Sequence, residues 1–130
     1  MFDEFRLNDP AQLEKICVVT GDISVDKLGL NETDENLLIK DVHAVFHCAA
    51  SVRFDYPLKT AVNLNTTGTL RMLQLAEKME SLEVFTYMST AYCQKLEMEE
   101  KHYPAFANPL DIIELTNILN ESALDELTKV

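Results

Sequence analysis

Two hydroxyl residues, Ser89 and Thr90, directly follow the apolar run 84–88, and they are the side chains best placed to do chemistry. A hydroxyl at the end of a buried strand can donate a hydrogen bond to a carbonyl oxygen that gains negative charge during hydride delivery. The alternative is a strand end whose hydroxyls bond to the local backbone. Neither hydroxyl has a histidine nearby in the sequence, so the pattern does not favour a hydrolase nucleophile.

Acidic or small residues follow two other apolar runs. Asp22 comes after residues 16–20, and its carboxylate can accept a hydrogen bond from an adenine amino group or a ribose hydroxyl. Because Gly-Asp is a common turn pair, a turn is the favoured interpretation of Asp22 taken alone. Ala49 and Ala50 follow residues 44–48 and leave room for a flat ligand, although tight packing is the favoured interpretation of this pair alone.

Asn65 and Gly68 lie within the strongest helical pattern of the chain, where both residue types lower the stability of a helix. Glycine alone costs roughly 1 kcal/mol relative to alanine. Two such residues in one helix indicate a reason in packing or in function, and the sequence supports the two explanations about equally.

The histidines and cysteines do not form a metal-binding pattern. His43 and His47 have a ligand spacing for a helix, but on a strand they lie on one face separated by two residue pairs, and no carboxylate or thiol completes a site. No two of the three cysteines have the C-x-x-C spacing, so neither a disulfide framework nor a zinc site is indicated for Cys17, Cys48 and Cys93. We expect three reduced, mostly buried thiols in a reducing compartment.

The composition is that of a globular protein with a strong acidic excess. The chain has 130 residues, a mass of 14.8 kDa and a net charge of −11. Its length predicts a single domain over residues 1–130, and its charge argues against nucleic-acid binding. The acidic N-terminus is unlike a secretory signal, and no apolar run reaches the ~20 residues that cross a bilayer. An intracellular, cytosol-facing protein is expected.

Apolar runs alternate with helical patterns, which predicts an α/β fold with parallel strands. The predicted strands, expected to be buried on both faces, are Ile16–Thr20, Ala44–Cys48 and Val84–Met88. The predicted helices are 31–41 with Asn31 or Thr33 as its cap, 57–80, and 108–129 with Asn108 as its cap. Because ligands gather at the carboxyl ends of parallel strands, we expect the residues that follow the strands to share one edge of the sheet.

Four stretches of the sequence together resemble one family. They are V-V-T-G-D-I-S, V-F-H-C-A-A-S-V-R-F-D, L-K-T-A-V-N-L-N-T-T-G-T and F-T-Y-M-S-T-A-Y-C. They are similar to the reductase domain of fatty acyl-CoA reductases, the alcohol-forming enzymes of the extended short-chain dehydrogenase/reductase superfamily. The fold that this resemblance implies is an internal portion of a doubly wound Rossmann-type parallel sheet, with strands three to five and the helices between them.

The resemblance implies NADPH as the hydride donor and a long-chain fatty acyl-CoA as the substrate. Reduction would run through an aldehyde to a fatty alcohol, with release of CoA. On the cofactor side, Asp22 and Ile23 would flank the adenine. Further along the cofactor, the adenosine and pyrophosphate would be lined by Cys48, Ala49 and Ala50.

The resemblance also implies catalytic positions. Asn65 would support a proton relay from the central helix. Thr90, with Ser89 beside it, would occupy the catalytic serine or threonine position of the superfamily.

Two motifs of the family are absent from the sequence. A glycine-rich turn cannot exist, since the chain has only Gly21, Gly29 and Gly68. No tyrosine is followed by the lysine of a Tyr-x-x-x-Lys motif. We therefore expect a partial copy that begins after the second strand of the fold and ends before the catalytic tyrosine.

A partial copy has consequences for the sheet and for activity. Without its first two strands the family's sheet has a gap, so we expect the chain alone not to form a continuous sheet and its exposed edges to favour self-association. We expect the isolated chain to be inactive. One alternative is a truncated reductase-like protein with a binding or interaction role. Another is a different extended reductase, such as a nucleotide-sugar epimerase or a carrier-protein thioester reductase. Membrane or peroxisome association would depend on segments outside this chain.

Overall fold

The structure, a computed structural model, describes residues 3–90, 101 and 103–128. The α-helices are α1 Asp3–Asn8, α2 Glu32–Asp41, α3 Leu58–Val62, α4 Gly68–Ala76, α5 Pro109–Ile118 and α6 Glu121–Thr128. The strands are β1 Ala44–His47 and β2 Val84–Tyr87. Shorter helical segments are the 3-10 turns Pro10–Lys15 and Asp26–Gly29 and the π-helical segment Asn63–Thr67.

The two strands form a parallel sheet, with Ala44 opposite Val84 and His47 opposite Tyr87. The helical stretch from α3 to α4 connects them, as parallel strands require. The α/β class predicted from the sequence is therefore confirmed, and the arrangement is consistent with part of a Rossmann-type domain. The second and third predicted strands are confirmed with one residue fewer at their carboxyl ends.

The first predicted strand, Ile16–Thr20, is not a strand. Val18 is 84% exposed, and no described strand lies beside this run to share hydrogen bonds with it. A strand is stabilised by its ladder of hydrogen bonds to a neighbour, so an apolar β-branched run without that neighbour stays irregular.

The prediction that the strands are buried on both faces was also wrong. Val45 and His47 are buried against the helices, whereas Phe46, which points to the opposite face of β1, is 69% exposed. Strand side chains alternate between the two faces, and the described helices cover only one of them. Cys17 and Cys48 are exposed, which corrects the prediction of mostly buried thiols; Cys93 lies outside the described residues.

The long central helix is confirmed, but it contains the π-helical segment Asn63–Thr67 between α3 and α4. The Gly68 N–H bonds to the carbonyl of Asn63, five residues earlier, which defines the wider turn. Such a segment holds one residue more than a regular helix over the same length, and Asn65 lies in its middle.

Asparagine side chains set several helix boundaries. Asn31 Oδ1 accepts the Asp34 N–H at 2.9 Å, so Asn31 rather than Thr33 caps α2. Asn108 caps α5 as predicted by accepting the Leu110 N–H at 3.1 Å. The single helix predicted over 108–129 is wrong, because Leu119 is extended and Asn120 starts α6 by accepting an N–H of its first turn.

No helix within the described residues is long and apolar enough to cross a membrane.

Candidate functional site

A cleft of about 900 Å³ opens at the carboxyl ends of β1 and β2. Parallel strands end at the same edge of a sheet, so the residues that follow them meet there. The cleft also has walls from the loop 51–57, from α3 and from α6. The predicted site residues that line it are Cys48, Ala50, Asn65, Ser89 and Thr90.

Asn65 ties the central helix to the loop that follows β1. Its side-chain oxygen accepts the backbone N–H of Ser51 at 2.8 Å, and its amide nitrogen donates to the backbone carbonyl of Ser51 at 3.0 Å. Both polar ends of the side chain are therefore used on one residue of the cleft wall. The Asn65 side chain fixes the position of this backbone as a neighbouring strand would.

Behind Asn65 lies a buried polar contact. Thr69 Oγ1 donates to the Asn65 carbonyl at 2.8 Å and lies 3.2 Å from His47 Nε2. A hydroxyl has one proton to donate, so the imidazole must donate its Nε2–H to Thr69. His47 is 3% exposed, and this burial lowers its pKa, which keeps the ring neutral.

Gly68 lets the turn around Ile23 approach the helix. A Cβ on Gly68 would lie 3.2 Å from both the Cβ and the carbonyl oxygen of Ile23, closer than most real contacts. Arg71 then holds that same carbonyl, with its Nη1 donating at 3.0 Å. The glycine predicted to have a reason in packing or function thus has one in packing.

Asp22 forms a turn, the interpretation favoured for it taken alone. Its carboxylate accepts the Ser24 N–H at 2.8 Å, and hydrogen bonding with Ser24 holds the pKa of Asp22 below its ordinary value. Asp22 and Ile23 line a separate apolar groove of about 350 Å³ beside β1. Ala49 is exposed and is not among the residues that line the cleft. The predicted site residues are therefore not all in one cavity.

Sequence reasoning missed the loop that forms the rim of the cleft. Val52 and Phe54 are 84% and 95% exposed, and both line the cleft. Arg53 bonds to Asp55 through two nitrogens, at 2.9 and 2.6 Å, and lies over the ring of Tyr56. The ion pair stabilises both charged forms, since Asp55 raises the pKa of Arg53 and Arg53 lowers the pKa of Asp55. Alternating apolar and charged residues in V-R-F-D were the available signal.

Sequence reasoning also missed the role of Arg71. Its guanidinium donates to the side chain of Asn63 at 3.1 Å and reaches Asp26 at 3.5 Å, in addition to Ile23. Asn63 in turn donates to the Ser24 carbonyl at 3.0 Å. Together these bonds attach the turn at residues 22–26 to the helix that carries Asn65.

The cleft fits some parts of a nicotinamide dinucleotide better than others. Ala50 and the backbone at the strand ends leave space for a flat ring, and the volume is typical of a ligand site. Arg53 is the one cation among the described residues that line the cleft, and Asp55 already engages it. The described lining therefore offers space for a ring, whereas the pyrophosphate would need further contacts. No group of three or more potential metal ligands occurs among the described residues.

The fold and the cleft define an α/β domain consistent with part of a Rossmann-type domain, and comparison with known proteins identifies the family. The family model described as male sterility protein, which represents NAD-binding domains, matches residues 1–129. Fatty acyl-CoA reductase 1 of Xenopus laevis and that of Homo sapiens are each 35% identical over 130 residues. A putative fatty acyl-CoA reductase of Drosophila melanogaster is 38% identical over the same length.

The chain belongs to the male sterility protein family, and the resemblance to fatty acyl-CoA reductases is confirmed. Each match covers 98% of this chain but only 25% of the relative, so the chain spans about a quarter of the length of these reductases.

Proposed function

We propose that this chain is part of an NADPH-dependent reductase that converts long-chain fatty acyl-CoA to fatty alcohol. The observation that carries the proposal is the convergence of Asn65, Ser89 and Thr90 on one cleft at the carboxyl ends of the strands, in a chain of this family. Reduction of the thioester through the aldehyde to the alcohol takes two hydrides and two protons and releases CoA as its thiol.

The Thr90 hydroxyl, with Ser89 beside it, would donate a hydrogen bond to the substrate carbonyl oxygen as negative charge builds on it. A donor placed for that developing charge stabilises the transition state more than the bound substrate. Asn65 would act from the other wall of the cleft by holding the Ser51 backbone.

Cys48 and Ala50 would line the cofactor, which supplies the hydride when bound. If the cofactor extended beyond the cleft, its adenosine side would contact Ala49, Asp22 and Ile23. Because Arg53 is the one cation among the described residues that line the cleft and is bound to Asp55, the phosphates would need contacts beyond this lining.

The exposed apolar rim of the cleft supports the proposal that the substrate carries an acyl chain. Val52 and Phe54 present apolar surface at the cleft that none of the described residues covers. An acyl chain that covered them would remove that surface from water, at about 25 cal/mol per Å².

The test is a reductase assay on the protein at its full natural length, with NADPH or NADH and a long-chain acyl-CoA. We expect NADPH consumption together with CoA thiol release, and a kcat lowered about a hundredfold by Thr90→Val. Thr33→Val, the same change at an exposed position on α2, should leave kcat unchanged. An active protein in which Thr90→Val retains full kcat would refute the role of Thr90.

A second candidate function is a reductase-like protein that binds but does not catalyse. It would apply to a protein without the glycine-rich turn and the Tyr-x-x-x-Lys motif, neither of which occurs within these 130 residues. The same assay separates the two candidates, because binding of NADPH without turnover of acyl-CoA would support the second.

A further inference from the structure

His47 is a buried titratable side chain that the proposed reaction does not use. It is 3% exposed and is the last residue of β1, immediately before Cys48 in the cleft. Its ring lies in tilted contact with two aromatic rings, 6.3 Å from that of Phe85 and 5.7 Å from that of Tyr87. A buried polar ring in such apolar surroundings is costly unless its hydrogen bond is well placed.

We propose that His47 is a positioning residue for the cleft, acting through Thr69 and Asn65 on the backbone of Ser51. Its catalytic meaning rests on the proposed function, whereas its effect on Ser51 does not.

The chain of contacts has three steps. His47 donates from Nε2 to Thr69 Oγ1, which fixes the orientation of that hydroxyl. Thr69 then donates to the carbonyl of Asn65, one helical turn earlier. Asn65 finally holds both the N–H and the carbonyl of Ser51. Each group in the chain is half-buried or buried, so water does not readily replace a lost partner.

The π-helical segment makes this arrangement useful. Asn65 lies in the middle of Asn63–Thr67, where backbone hydrogen bonds join residues five apart, as in a π-helix, and not four apart. A side-chain bond to the Asn65 carbonyl therefore supports the helix at the residue that must reach Ser51. Loss of the His47 bond should let Asn65 and the loop after Ser51 move, without changing any group that touches the reacting atoms.

The experiment uses the protein at its full natural length with His47→Phe, His47→Gln, Thr69→Val and Thr69→Ser. Phe keeps an aromatic ring but removes the donor, while the Gln side-chain N–H lies close to the position of Nε2. Two quantities are measured, the hydrogen-exchange rate of the Ser51 amide and the KM for NADPH against kcat.

We expect His47→Phe and Thr69→Val each to raise the Ser51 exchange rate and the KM for NADPH about fivefold, with kcat nearly unchanged. His47→Gln and Thr69→Ser should restore both quantities. The double variant His47→Phe/Thr69→Val should be no worse than either single one, because the two residues act in one chain.

Two outcomes would overturn the inference. One is an unchanged Ser51 exchange rate in His47→Phe; the other is faster exchange at Ser51 and β2 alike, which would indicate general destabilisation. If the wild-type protein neither binds nor oxidises NADPH but Ser51 responds as expected, the proposed function fails and the positioning role of His47 stands.

Discussion

The motif Asn-x-x-Gly-Thr shows how three residues of one helix serve three different neighbours. Asn65 holds the Ser51 backbone, Gly68 admits Ile23, and Thr69 joins the helix to His47. Helix propensity alone disfavours all three residues. Their contacts are with segments before the helix in sequence, so the helix pattern alone could not separate a packing reason from a functional one.

The neutral, buried state of His47 predicts a pH dependence of stability. Burial lowers the pKa of His47 from 6.5, so below that pH the unfolded chain binds a proton that the folded protein does not. The free energy of unfolding should therefore decrease as the pH falls below 6.5. Urea unfolding across this range should show that His47→Gln reduces the decrease. Equal slopes in wild type and His47→Gln would contradict the prediction.

The regular elements show which sequence signals suffice on their own. β1, β2 and α2 were predictable from their apolar patterns, although the sequence left the cap of α2 open between Asn31 and Thr33. The run Ile16–Thr20 has a comparable apolar pattern, yet a strand also needs a partner, and a partner is not a property of the local sequence. The π-helical segment has no signal of its own beyond the unusual Asn65 and Gly68.

The cleft was predictable only in part, for a related reason. Residues after strands, such as Ala50 and Thr90, converge because of the topology, which the sequence pattern indicates. The bonds of Asn65 to Ser51 and of Arg71 to Ile23 span 14 and 48 residues, and no local pattern specifies such distances. The rim at Phe54 was missed because an exposed aromatic in a loop looks like a core residue in sequence.

The cap of α2 gives a prediction at the scale of one element. Asn31→Ala should lower the free energy of unfolding by about 1 kcal/mol, since the Asp34 N–H loses its acceptor. Asn36→Ala is the matched control, at an exposed position within the same helix, and should be neutral or slightly stabilising. Denaturant unfolding measures both, and similar losses in the two variants would refute the capping role.

On the scale of the whole molecule, the turn at residues 22–29 is attached to the central helix by few groups. Arg71 and Asn63 bond to Ile23 and Ser24, Ile23 packs against Gly68, and Leu28 is buried. Asp22 and Ile23 belong to this turn, so their position relative to the cleft depends on these attachments.

Arg71→Met should therefore destabilise the protein by about 2 kcal/mol, because the Ile23 carbonyl and the Asn63 side chain both lose a charged donor. Arg6→Met is the matched control. It removes an exposed ion pair with Asp3 and should change the free energy of unfolding by less than about 0.5 kcal/mol. Thermal or denaturant unfolding compares the two variants, and equal effects would show that Arg71 does not anchor the turn.

The π-helical segment also sets the rotational phase between the two halves of the central helix. Each residue of a regular helix turns the chain by about 100°, so the extra residue in Asn63–Thr67 determines which side of α3 faces the strand ends. Removing a single residue there would turn Leu58 and Ala61 away from the cleft that they now line. The number of residues in this segment is thus as much a determinant of the cleft as the identity of its side chains.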